Sequence, residues 1–141
     1  MPNHCCNTLI MSADTLPVIL KNYVKKDEQG ENIFDFEKIT PVGDKPDSYE
    51  QRLEKWGTKW PGYDLNIGDS VLDFFTAWSP PIPIIKKLAE LHKDLSFRLE
   101  YYETGMAFRG YAVADWQDGE VLLDEQCWDM TEKDFEELGF L

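Results

Sequence analysis

The sequence lacks any apolar stretch long enough to cross a membrane. A spanning helix needs ~20 consecutive apolar residues, and no run in the 141 residues approaches that length. The beginning of the chain also lacks a charged segment followed by an apolar one, which is the pattern of a secretory signal. These two absences favour a cytoplasmic protein that does not associate with membranes.

Basic residues are scarce. The chain has 14 Lys and Arg against 27 Asp and Glu, which gives a net charge of −13. Residues 115–141 contain ten of the acids and one base, a net −9. Direct binding to nucleic acid is therefore disfavoured, because phosphate contacts need clustered Lys and Arg.

The excess of acids has two interpretations. A net charge far from zero keeps a protein soluble. Alternatively, the acidic end is a surface that imitates nucleic acid and occupies the binding site of a host protein. The candidate residues of that acidic surface are Asp124, Glu125, Glu132 and Glu136.

Cysteine and histidine are also rare, and their spacing offers little chemistry. The three cysteines are Cys5, Cys6 and Cys127, and an odd number in a cytoplasmic chain indicates reduced thiols. No C-x-x-C or H-x-x-x-H spacing is present, and three cysteines cannot hold an iron–sulfur cluster. We therefore predict no metal, no cofactor and no catalytic residue, and the role of the cysteines stays open.

The first half of the chain alternates strand and helix patterns. Its predicted elements are a strand at 7–13, a helix that Asp14 caps and Gly30 ends, a short strand at 33–39, a loop at 40–47, and a helix at 48–56 capped by Ser48. Residues 56–65, "WGTKWPGYDL", hold two tryptophans and a tyrosine. We interpret them as a structured loop, because tryptophan normally packs against other side chains.

The stretch "FFTAWSPPIP" predicts a corner between a strand and a helix. The apolar run 71–78 is typical of a buried strand. Ser79 can cap a helix, and Pro80 fits the first helical position, where its missing N–H costs nothing. The helix that follows presents its apolar residues on one face, at Ile84, Ile85, Leu88 and Leu91.

The remaining chain predicts three strands and a short helix. The strands cover 96–103, 107–116 and 121–128, with Gly110 as a candidate bulge. Asp118-Gly119 is the strongest short hairpin signal. Thr131 is the expected N-cap of the last helix.

This order predicts an α+β fold, a ferredoxin-like βαβ-βαβ sandwich with an antiparallel sheet. A C-terminal hairpin strand and a short helix elaborate it. The whole chain, 1–141, is expected to form one domain, with the acidic C-terminal elaboration beginning at about residue 113.

Four segments in fixed order carry a resemblance to a known family. They are "MPNHCCNTLIMSA", "WGTKW", "TAWSPPIP" and "LEYYETGMAFRG". In these, the chain resembles the YubB-like ferredoxin-like domains of phages and conjugative plasmids, a domain of unknown function. His4 and Ala107 depart from the family pattern, which usually has an aromatic residue and a glycine there. The resemblance covers about residues 1–112 and implies the fold and a mobile-element setting, but no activity.

The densest set of unusual residues is a candidate ligand-binding groove. The aromatic walls and the charged groups that would orient a ligand are Trp56, Lys59, Trp60, Trp78, Tyr102, Glu103 and Arg109. The alternative is a second small core that holds a long loop against the sheet. Burial is the usual reason for a tryptophan, which favours this alternative.

Three hypotheses for the function follow, in order of preference. The first is an interaction protein that binds a host protein, and the second is a small-ligand site or enzyme in the tryptophan-rich groove. The third is a single-strand nucleic-acid binder that stacks bases on aromatic rings. It would need one basic stripe from Lys55, Lys59, Lys86, Lys87 and Arg109. The oligomeric state is left open.

Overall fold

The structure is a computed structural model that describes residues 3–141. Met1 and Pro2, the first residues of one segment that carries the resemblance, lie outside the described residues. The strands are β1 (His4–Ile10), β2 (Val24–Lys26), β3 (Asn32–Phe34), β4 (Tyr63–Ile67), β5 (Val71–Ala77), β6 (Phe97–Glu103), β7 (Phe108–Gln117) and β8 (Glu120–Asp129). The helices are α1 (Leu16–Tyr23), α2 (Phe36–Ile39), α3 (Ser48–Lys55), α4 (Ile82–Leu91) and α5 (Glu132–Glu137).

Six strands form one antiparallel sheet in the order β4-β5-β1-β6-β7-β8. Strand β5 lies between β1 and β4, and β1 lies between β5 and β6. Each helical connection therefore skips one strand, which is the split βαβ arrangement of a ferredoxin-like sandwich. The predicted α+β fold is confirmed, and β7, β8 and α5 extend it at the C-terminus.

The two faces of the sheet differ. One face packs against α1 and α4, and the buried cluster there includes Leu9, Phe74, Leu99 and Ala112 from the sheet. Because neighbouring strand residues point to opposite faces, Cys6, Phe75 and Tyr102 project from the other side. We call this second side the open face, since its central side chains are half-buried or exposed.

The middle of the chain departs from the prediction. Helix α1 ends at Tyr23, and residues 24–34 form the separate hairpin β2–β3 instead of helix and loop. The carboxylate of Asp27 makes this turn, accepting bonds from the backbone N–H groups of Gln29 and Glu31, both at 2.9 Å. The predicted strand at 33–39 is wrong, because it divides into the end of β3 and α2. The first helical connection instead leads to β4.

Three predicted caps are also wrong. Asp14 does not cap α1, which follows Thr15 without a side-chain cap. Ser48 is the first residue of α3, and its hydroxyl bonds Lys45 N–H at 2.6 Å within the preceding loop. Ser79 donates its hydroxyl to the carbonyl of Gly57, so it fastens the loop while α4 begins at Ile82.

The C-terminal part largely follows the prediction. Asp118 and Gly119 form the hairpin turn, with φ of 51° and 87°. Thr131 and Asp134 form the capping box of α5. Gly110 is not a bulge, because it pairs in register with Tyr101 and Cys127. None of the helices formed by residues 3–141 combines the length and the apolar character that a membrane span requires.

Candidate functional site

The first tryptophan of the "WGTKW" segment belongs to the core. Trp56 is 1% exposed and packs edge-on against Phe36, with ring centroids 5.8 Å apart. Its indole N–H donates to the carbonyl of Thr40 at 2.8 Å. Thr58, also fully buried, donates its hydroxyl to the carbonyl of Ala77 at 2.8 Å. This end of the loop is therefore fixed to the sheet and offers no groove wall.

The second tryptophan lies at the surface. Trp60 is 39% exposed, and the ammonium of Lys59 lies 4.6 Å from its ring centroid. Trp78 is 44% exposed at φ +71°, a left-handed conformation in which a bulky residue is a genuine outlier. Its N–H bonds the carbonyl of Asn3 at 2.9 Å, which places it beside the start of β1.

Two of the charged candidates are engaged in bonds within the chain. Glu103 is 1% exposed, and its two carboxylate oxygens accept from the N–H groups of Gly105 at 2.6 Å and Met106 at 2.8 Å. Arg109 binds two carboxylates of α5. Tyr102, which pairs with Arg109 across β6 and β7, is half-buried on the open face.

Aromatic rings follow one another across the open face near the end of β5. Trp60 contacts Tyr63 at 6.4 Å between centroids, Tyr63 contacts Phe75 at 6.0 Å, and His4 stacks on Phe75 at 5.2 Å. Beyond Cys6, the next strand supplies Tyr102, which meets Phe140 at 5.9 Å. We call this set the aromatic row: Trp60, Tyr63, His4, Phe75 and Tyr102.

An acidic cleft of about 490 Å³ adjoins the aromatic row. Its carboxylates come from Glu31 of the β2–β3 hairpin, from Asp64 in β4 and from Asp73 in β5. The hydroxyl of Thr8 donates to Asp73 at 2.7 Å. Among the described residues, the lining of the acidic cleft includes no Lys or Arg. The cleft therefore suits a positively charged group.

Sequence reasoning missed most of the aromatic row. Of its members only Trp60 and Tyr102 were among the candidate residues. His4, Tyr63 and Phe75 are far apart in the chain, and strand order and register bring them to one place. The strand period of two in "VLDFFTAW" was the available signal, because it places Phe75 on the face opposite to Leu72 and Phe74.

The four predicted acidic residues do not form one patch. Asp124 lies on the open face, opposite Val113, whereas its neighbour Glu125 lies on the other face of β8. Glu132 and Glu136 are exposed one turn apart on α5. Their role in binding a partner stays a prediction.

The predicted basic residues are likewise divided. Lys55, Lys86 and Lys87 line a shallow cleft of about 370 Å³ on the helical side. Lys59 lies beside Trp60, and Arg109 lies on the open face. No single basic stripe connects these five residues within the part of the chain that the structure describes.

The thiols differ in their surroundings. Burial raises the pKa of Cys5 far above its ordinary value, and burial also raises the pKa of Cys6 beside Tyr102. Cys127 is exposed near the end of β8. Because the thiolate is the nucleophile, Cys5 and Cys6 are poor nucleophiles at neutral pH. Among residues 3–141, no three His, Cys, Asp or Glu side chains are grouped to hold a metal ion.

Comparison with known families places most of the chain in a described family. A family model described as the ferredoxin-like domain in Api92-like protein matches residues 55–139, more than half of the chain. The matched range runs from the end of α3 through α5, and it includes the strands β4 to β8. Comparison with curated proteins and with solved structures found no match.

Proposed function

Because the chain belongs to the family of the ferredoxin-like domain in Api92-like proteins, we propose that it is a protein-interaction module whose binding surface is the open face. The aromatic row is the observation that carries this proposal. The rings of the row are partly exposed, and they occupy the face of the sheet opposite to α1 and α4.

Partly exposed aromatic side chains are the groups that contribute most to protein interfaces. Tyr and Trp supply a large contact area with few rotatable bonds, and they are enriched at binding hot spots. Here the flanking strands fix them, since His4 and Phe75 stack and Tyr63 donates or accepts a hydrogen bond with His4 at 2.6 Å. A rigid surface of this kind loses little conformational entropy on binding.

The acidic cleft supports a basic partner. Glu31, Asp64 and Asp73 favour a partner segment that places Lys or Arg next to the aromatic row. Arg suits both features, because its guanidinium binds carboxylates and stacks on aromatic rings. The net charge of −13 would speed the approach of such a basic partner.

The proposal extends to the biological origin of the protein. The resemblance to YubB-like domains supports an accessory protein of a phage or plasmid, acting in the cytoplasm on a host protein. Many basic surfaces of host proteins serve to bind nucleic acid. A partner of that class would make the protein a counter-defence factor that competes for the nucleic-acid site.

Site-specific photo-cross-linking tests the binding surface. We would replace Tyr111, half-buried on the open face, with benzoylphenylalanine, and Lys86, on the exposed side of α4, as the control position. Each protein is irradiated in extract of its natural host cells. We expect a discrete cross-linked partner from position 111 and none from position 86.

Charge variants complete the test. Asp64→Asn with Asp73→Asn should abolish the cross-link, whereas Asp94→Asn with Asp69→Asn, which removes the same charge elsewhere, should leave it intact. Absence of a partner at position 111, or equal cross-linking from position 86, would reject the proposal. Identification of a partner that does not bind nucleic acid would reject only counter-defence.

A second candidate is a small-ligand site in the acidic cleft. Its volume of about 490 Å³ is in the range of small-molecule sites. Cationic metabolites such as spermidine and arginine are suitable probes in a thermal-shift assay. A rise in the melting temperature that Asp73→Asn removes would support this candidate, and an unchanged temperature with each probe would reject it.

A further inference from the structure

The C-terminal segment lies on the open face. Arg109 donates through Nη1 to Asp134 Oδ1 and Glu137 Oε2, both at 3.0 Å. Phe140, just beyond α5, places its ring 5.9 Å from that of Tyr102 in an edge-to-face contact. Residues 131–141 thus cover one end of the aromatic row.

This cover is held loosely. Helix α5 has no buried residue, and Phe140 and Leu141 are 52% and 72% exposed. The side chain of Glu137 is 49% exposed, so solvent and salt screen its attraction to Arg109. The segment therefore lacks the burial that would fix it permanently.

A cleft lies beside and beneath the C-terminal segment. A cleft of about 430 Å³ continues from Tyr102 and Arg109 to Tyr111 and Trp128, and Leu138 of the cover reaches into it. Trp128 is 39% exposed there. The cleft therefore extends beyond the area that residues 131–141 occupy.

We propose that Tyr102 and Arg109 form a subsite for a partner segment that presents an aromatic side chain and a carboxylate, and that residues 131–141 are an internal occupant displaced by it. This inference rests on the proposed function. The chemistry follows from the present occupant: the guanidinium of Arg109 pairs with carboxylates, and Tyr102 makes an edge-to-face contact with an aromatic ring.

The inference also specifies the partner's polarity. The acidic cleft at β4 and β5 takes basic side chains, and the Tyr102–Arg109 subsite takes an acidic and aromatic group. A segment that crosses the open face would therefore carry opposite charges at its two ends. Such a pattern fixes the direction in which the segment binds.

A peptide experiment tests the subsite without any natural partner. The probe is a fluorescently labelled peptide with the sequence of residues 131–141, and its binding to the full chain is measured by anisotropy. Glu137→Gln with Phe140→Ala, the released variant, removes the Glu137–Arg109 bond and the Phe140–Tyr102 contact and keeps Asp134, which caps α5. The control, Glu136→Gln with Leu141→Ala, likewise removes one acid and truncates one apolar side chain at exposed positions.

We expect the released variant to bind the peptide at least about ten-fold more tightly than the wild type and the control. Adding Arg109→Gln to the released variant should remove this binding. A second peptide, itself carrying Glu137→Gln and Phe140→Ala, should not bind the released variant, which tests the chemistry even if the variant with Arg109→Gln unfolds.

Equal affinity of wild type and released variant, or binding that persists without Arg109, would overturn the inference. Circular dichroism establishes that each variant is folded. Peptide binding without a cross-linked partner would reject the proposed function alone. A cross-linked partner without peptide binding would reject this subsite alone.

Discussion

The ring of Tyr101 lies directly against the backbone of Gly110 on the neighbouring strand. A Cβ atom at residue 110 would lie 2.6 Å from Tyr101 Cζ and would also meet the carbonyl oxygen of Gln126. Residue 110 must therefore be glycine, because β6 and β8 both come too close to it for a side chain to fit. Gly110 pairs with Tyr101 of β6 and Cys127 of β8, directly beside the Tyr102–Arg109 pair.

Gly110→Ala should destabilise the protein by about 1–3 kcal/mol, because the added methyl group forces the ring and two strands apart. Urea unfolding measures the loss. Tyr101→Leu provides the double-mutant comparison: the penalty of Gly110→Ala should be smaller in that background. A penalty of the same size with and without the Tyr101 ring would contradict the steric explanation.

The two tryptophans of "WGTKW" should differ sharply in their contribution to stability. Trp56→Ala should cost about 3–5 kcal/mol, since it empties a buried volume and leaves the Thr40 carbonyl without its donor. Trp60→Ala, at the surface, should cost about 1 kcal/mol or less. Denaturant unfolding of both variants gives the comparison, and similar losses would contradict the assignment of Trp56 to the core.

The thiols should react in a fixed order with iodoacetamide at pH 8. Cys127 is exposed and should be alkylated first. Cys6 should follow slowly and Cys5 only on unfolding, because burial raises the pKa of both. Mass spectrometry of timed samples locates the label. Early modification of Cys5 in the folded protein would show that β1 is not buried as described.

The cap of α5 should weaken in acid. The backbone N–H of Thr131, followed by Arg109, lowers the pKa of Asp134 below 3.8. A lowered carboxyl pKa means that the stabilisation is present above the unfolded value and is lost as the pH falls through the folded value. Amide NMR signals of α5 should therefore shift as the pH falls below 3.8, the ordinary pKa of this carboxyl group.

Asp134→Asn is the control for this titration, because it removes the titrating group. The shift should vanish in the variant. Persistence of the same transition would assign it to another carboxylate of the C-terminal segment.

Sequence patterns predicted the strands and the turn whose residue pattern matches the burial that they have in the folded protein. Strands β5, β6, β7 and β8 alternate clearly, and the Asp118-Gly119 turn requires positive φ at both residues. The Tyr23–Val24 boundary carries no breaker, so the helical period continued through it in the prediction. The hairpin β2–β3 forms there instead of a longer helix. The Asp27 carboxylate accepts hydrogen bonds from the backbone N–H groups of Gln29 and Glu31, and the two strands pair.

The candidate site was predicted in part. Tyr102, Trp60 and Arg109 lie on or beside the open face, but Trp56 belongs to the core. The sequence does not show whether a tryptophan in a loop faces inward or outward. Trp56 faces inward because its indole bonds the Thr40 carbonyl and packs against Phe36. The acidic cleft joins residues 31, 64 and 73, and no spacing rule anticipates such a long-range combination.

The position of β1 at the centre of the sheet governs the timing of folding during synthesis. Its neighbours are residues 71–77 on one side and 98–102 on the other. Strand β1 is synthesised before both of its neighbours, so Leu9 and Cys5 stay uncovered until residues 71–77 and 98–102 have been made. Long-range closure of this kind slows folding, so nascent chains that stall before β6 would be prime targets for chaperones and proteases.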